Sequence, residues 1–101
     1  MVKHIVMFKF LPEADGRSKQ ENAVIAAEML SDLQGRVPSL INSEVKLNSA
    51  RADQSNYDLV LTTEFESFEG LNEYATHPLH LEVVEFIKKT RESRSCVDYE
   101  Y

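Results

Sequence analysis

The stretch Tyr74-Ala75-Thr76-His77-Pro78-Leu79-His80 gathers two imidazoles and a phenol within two helical turns, at a break marked by proline. Histidine is the side chain whose ordinary pKa lies near neutrality, so such a cluster points to proton transfer. His80 is expected in the first turn of a helix restarting at Pro78. There the N-terminal dipole disfavours imidazolium and leaves a neutral ring able to accept a proton. His4 lies on the same strand face as Val6 and Phe8, and if that face meets the helices it helps to bound the same cavity. Each residue also has a structural explanation: Tyr74 as a buried helix ring, His77 as a cap at the break, His4 as a half-buried strand histidine.

Other chemistries find less support. Two histidines three apart can share a helix face, but Pro78 separates them, no HExxH motif exists, and Glu82 or Glu85 would have to complete a shell, so no metal is expected. Cys96 is the one cysteine and has no base near it in the strand order, and no serine sits in a Gly-x-Ser-x-Gly turn. Gly16, Gly35 and Gly70 are too dispersed to cradle phosphates.

The elements that must position the cluster are legible from periodicity. Val2, His4, Val6, Phe8 and Phe10 share one face of a period-two strand, with Ile5, Met7 and Leu11 on the other, and Pro12 ends it. Asp15-Gly16 marks a turn, and Ser18 with Glu21 has capping-box spacing for a helix expected to end near Gln34, before Gly35. Ile41, Ser43, Val45 and Leu47 alternate with polar residues as a second strand, with the expectation that they form its buried face. Tyr57, Leu59, Leu61, Thr63 and Phe65 form one face of a third, opposite Asp58, Val60, Thr62 and Glu64. Ser67 caps a short helix weakened by Gly70, His77-Pro78 breaks it, and residues 95–101 close the chain as a fourth strand.

This order predicts an α+β, ferredoxin-like βαββαβ domain over residues 1–101, a four-stranded antiparallel sheet with helices on one face. The Leu59, Leu61 and Phe65 face is assigned to the helices, so Leu59 and Leu61 join His4, Val6, Phe8 and His77 as expected ligand-binding residues. Ile5, Met7, Val60, Thr62, Asp58, Glu64 and Cys96 are left on the bare face. A second copy, packed sheet to sheet, is the expected cover.

Composition bounds the partners. A chain of 101 residues with a formal net charge of −6 would repel a phosphate backbone, so nucleic acid is not expected. Lys88, Lys89, Arg91 and Arg94 form the one cation-dense stretch, and they fall late in a helix and beyond it, where cations complement the carbonyl end of the dipole. No stretch approaches the roughly 20 apolar residues of a membrane span. The N-terminus lacks a signal-peptide pattern, and the lone cysteine suits a reducing compartment, so a cytoplasmic protein is expected.

Val2-Lys3-His4-Ile5-Val6, the Phe65-Glu66-Ser67 turn, the Tyr-x-x-His-Pro-x-His string from Tyr74 to His80 and the terminal Val97-Asp98-Tyr99 occur in an order that resembles the stress-responsive dimeric α/β-barrel (Dabb) family along essentially the whole chain. The resemblance implies a sheet-to-sheet homodimer. One plant polyketide cyclase of that family closes a linear polyketide by an intramolecular aldol step without metal or organic cofactor. Carried over by motif, His80 becomes the general base that removes a proton α to a carbonyl, Tyr74 its hydrogen-bonding partner, and His4 part of the pocket wall; no cofactor is implied. The chain departs from that pattern at Leu59, which replaces a histidine, at Ala26, Ala27 and Leu30, which replace aromatic positions, and at Arg91, which replaces a bulky aromatic with a charge that either recognises an anion or points to solvent. The implied function is a homodimer that binds a small molecule, as a cofactor-free lyase or cyclase. The alternatives are a noncatalytic binding or interaction module and a monooxygenase-like barrel.

Overall fold

A computed structural model describes residues 1–101. Strands β1 (Val2–Phe10), β4 (Asn42–Leu47), β5 (Leu59–Phe65) and β6 (Arg91–Glu100) form one antiparallel sheet in the order β4-β5-β1-β6, while β2 (Glu13–Ala14) and β3 (Arg17–Ser18) form a separate small hairpin. Helices α1 (Lys19–Ser31), α2 (Phe68–Thr76) and α3 (Pro78–Thr90) complete the ferredoxin-like fold. The core lies between one sheet face and the helices, and is built from Val2, Val6, Phe8 and Phe10 of β1, Leu59, Leu61 and Phe65 of β5, and apolar helix residues such as Ala26, Leu30 and Ile87. No helix is long and apolar enough to cross a membrane.

Local chemistry sets the element ends. Ser18 and Glu21 form the reciprocal capping box that starts α1, and Asp15 and Gly16, with φ of 54° and 76°, make the two-residue turn of the β2-β3 hairpin. The α1 helix stops at Ser31, three residues before the expected end, and Gly35 takes its left-handed conformation (φ 83°) in the turns that follow. His77 divides the second helical region: its extended backbone ends α2, and its Nδ1 accepts the Leu79 N–H at 3.1 Å to start α3.

Three expectations about strand faces are corrected. β6 begins at Arg91, directly after α3, rather than at residue 95, and its register pairs Cys96 with Val6 and Asp98 with His4. Cys96 therefore belongs to the helix side of the sheet, not to the bare face. β5 begins at Leu59, so Tyr57 and Asp58 precede the strand and are not held to its alternation. As a result the Asp58 carboxylate turns back to accept the Phe10 N–H at 2.8 Å, while the Tyr57 hydroxyl accepts from Ser95 on the opposite side. Asp58 and Tyr57 have exchanged their expected faces. Finally, Ile41 and Leu47 are exposed, because β4 is an edge strand and only its middle, at Ser43 and Val45, is half-covered.

The uncovered face carries Ile5, Met7, Val60 and Thr62 with Val97, Tyr99 and Tyr101. Met7, Val97, Tyr99 and Tyr101 are all exposed, Val97 by 62%.

Candidate functional site

His4 stands at the middle of β1, where Thr63 donates its hydroxyl to the His4 carbonyl on one side and Asp98 faces the ring on the other. The His4 Nδ1 lies 2.5 Å from Asp98 Oδ1. A carboxylate only accepts, so Nδ1 carries the proton of this contact. Cys96 Sγ lies 3.4 Å from the same nitrogen and 3.6 Å from Asp98 Oδ1. A histidine thus does stand beside Cys96, contrary to the expectation from strand order. It does not activate the thiol, because the shared nitrogen already faces Asp98. Burial and the Asp98 charge both push the thiol pKa up and hold it protonated. The ligand atoms of His4, Cys96 and Asp98 lie within 4.8 Å of one another, and a cation entering there would have to displace the proton between His4 and Asp98.

His80 lies in the first turn of α3, with Nδ1 3.1 Å from the Ala75 carbonyl oxygen at the end of α2. A carbonyl has no proton to give, so Nδ1 is the donor and Nε2 the free acceptor. Burial is the main influence on this ring and pulls its pKa below the usual histidine value; the Ala75 carbonyl acts against it, and His4, Arg94 and His77 add to the lowering. The His80 imidazole is therefore neutral at pH 7 and presents a lone pair.

Tyr74, in the last turn of α2, is 2% exposed and packs its ring against Phe65 (centroids 5.3 Å apart) and His80 (4.4 Å). Burial raises its phenol pKa to about 12, so it stays protonated, able to donate a hydrogen bond and not to act as a base.

His4, Tyr74 and His80 line one cavity of about 270 Å³ between the sheet and the helices. Val6, Phe8 and Leu61 form its sheet wall, Leu30, Leu71, Val83 and Ile87 its helix wall, and Lys88, Arg91 and Arg94 also line it. Two residues expected there lie elsewhere. Leu59, beside Phe8 in register, is enclosed in the core, and His77 is spent on the cap of α3. The role of Asp98 and the inward turn of Arg94 went unread in the sequence. A strand counted from Arg91 would have put residues 94, 96 and 98 on one face.

The family model described as Stress responsive A/B Barrel Domain matches residues 2–101. The chain belongs to that family. Among solved structures, this A/B barrel domain is similar to a dimeric protein of unknown function and ferredoxin-like fold from Bacteroides fragilis NCTC 9343, with 33% identity, a TM-score of 0.81, and coverage of 99% of this chain and 95% of that one. A dimeric ferredoxin-like protein of unknown function from Thermobifida fusca YX superposes with a TM-score of 0.82 at 22% identity, covering 99% and 90% of the two chains. The hydroxynitrile lyase from Passiflora edulis shares the fold, with a TM-score of 0.74, 15% identity and coverage of 97% and 90%. No curated protein matches the A/B barrel domain closely enough to count as a relative.

Proposed function

We propose that this A/B barrel domain is a homodimer whose cavity binds a small carbonyl compound and acts as a cofactor-free lyase or cyclase, with His80 as general base. The observation that carries the reading is the His80 ring: Nδ1–H engaged by Ala75, Nε2 free, neutral at pH 7 and packed at a tilt, centroids 4.4 Å apart, against a buried, protonated Tyr74. In the proposed step, Nε2 takes a proton from the carbon α to the carbonyl. The C–H electron pair moves to the carbonyl oxygen as an enolate, and the Tyr74 hydroxyl donates a hydrogen bond to that oxygen. The enolate carbon is then the nucleophile for an aldol closure or, in reverse, the product of a cleavage. A hydroxynitrile lyase on the same fold supports the compatibility of the scaffold with lyase chemistry and nothing finer.

Self-association is supported by the exposed apolar side chains of the uncovered sheet face and by the dimeric state of the similar proteins. The catalytic reading is tested by following α-proton exchange of benzylacetone in deuterium oxide by NMR. Exchange above the buffer rate that vanishes in His80→Gln is the expected result. Binding of the ketone with no exchange in the wild type would reduce the protein to a noncatalytic binder.

A further inference from the structure

Cations are the minority charge of this chain, 11 Lys and Arg against 17 Asp and Glu. Three of them, Lys88, Arg91 and Arg94, nevertheless line the cavity, and no acidic residue does. None of the three takes part in an ion pair of the fold. Lys89, their neighbour in sequence, turns away and lies 3.9 Å from the Asp15 carboxylate. With carboxylates in surplus, three cations on an apolar cavity have no carboxylate partner, although the Arg94 guanidinium does reach the Cys96 side chain.

The dipole of α3 accounts for only part of this arrangement. Lys88 is in the last turn and Arg91 is the C-cap, where cations are favoured anyway. Arg94 is past the helix altogether, on β6 opposite Phe8, where the helix-end effect has faded. Its charge reaches His80, where it contributes to lowering the imidazole pKa.

We infer that the ligand of this cavity carries a carboxylate, held by the guanidinium groups of Arg91 and Arg94 with Lys88 adding charge, while its carbonyl end reaches Tyr74 and His80. This assignment rests on the reading of the cavity as a carbonyl-compound site and names the substrate class within it. Two planar guanidinium forks suit a carboxylate geometrically as well as by charge. A cavity of about 270 Å³ restricts the rest of the ligand to a compact apolar body.

The test is calorimetric titration of the protein with β-benzoylpropionate and with its uncharged methyl ester. The acid is expected to bind at least about tenfold more tightly than the ester, as charge-assisted contacts allow, and added salt should erode the difference. In the double variant Arg91→Gln/Arg94→Gln the acid should fall to the ester's affinity while the ester is unchanged, so the ester also reports that the cavity is intact. Equal binding of acid and ester by the wild type, or a preference that survives in the double variant, overturns the carboxylate assignment and leaves the carbonyl site standing. A charge preference with no proton exchange on any ketone supports the assignment and sinks the catalytic reading instead. If neither compound binds nor moves the His80 ring resonances, both fall.

Discussion

His80 Nδ1 lies 3.1 Å from the Ala75 carbonyl, a hydrogen bond that spans the proline break and ties the start of α3 to the end of α2. Because the acceptor has no proton, this contact selects the tautomer with a free Nε2. The free ring nitrogen is thus selected by backbone geometry rather than by a carboxylate.

A pH profile follows from the direction of the His80 shift. Its pKa in the fold is below 6.5, so proton exchange should rise with pH through that lowered value and be level by neutrality. Stability has the same sense: below about pH 6.5 the unfolded chain binds the proton more readily than the native one, so acidification favours unfolding. The contribution is complete above the unfolded value and lost as the pH falls. NMR titration of the ring in the wild type, beside thermal melts of wild type and His80→Gln across this range, checks both statements. A ring titrating above 6.5 would contradict them.

Tyr74→Phe removes the donor and keeps the ring that packs on Phe65 and His80. Exchange activity should drop about 10- to 100-fold, the value of one hydrogen bond to a charged oxygen, with little change in melting temperature. Tyr74→Ala empties a fully enclosed site and should cost about 3–5 kcal/mol in denaturant unfolding.

His77→Ala should lower stability by about 1 kcal/mol, since its Nδ1 accepts the Leu79 N–H at the start of α3. Affinity for β-benzoylpropionate should be unchanged, because His77 stands outside the cavity. His77→Asp should restore the cap, a result that separates capping from any other role.

Gly70 lies within α2, and a methyl group built there meets Phe65 Cβ at 3.5 Å and Ser39 Cβ at 3.7 Å, ordinary contacts. Gly70→Ala should therefore raise stability, by up to about 1 kcal/mol in chemical denaturation, through helix propensity alone. A loss of stability would mean that Phe65 and Ser39 cannot accept even that contact.

Ile5 and Val97 are paired across β1 and β6 on the uncovered face. Val97→Asp should weaken self-association by at least about 30-fold, the scale of a central interface residue, in sedimentation equilibrium. Association that persists unchanged would place the contact between copies elsewhere.

Much of the architecture could be read from periodicity and caps, because both are local. The alternation of Val2 to Phe10, the Ser18-Glu21 box and the His77-Pro78 break depend on neighbours within a few residues. They predicted β1, the start of α1 and the divided second helix where these occur. The faces of Tyr57, Asp58 and Cys96 were misread for a different reason: each depends on where a strand starts relative to a partner distant in sequence. A strand that begins only at Leu59, or four added residues in β6, is invisible to period-two counting.

The same division runs through the site. By itself the sequence determined the kind of chemistry available, since imidazole and phenol at a helix break are a matter of residue type and short spacing. Only the tertiary structure decided which groups share the cavity. Packing α2 and α3 against the sheet brought Tyr74 and His80 to His4, register carried Asp98 to His4 and Arg94 to the cavity, and capping drew His77 away. Residue type sets what a group can do, whereas its protonation and its neighbours depend on burial and long-range pairing, which exist only once the chain has folded.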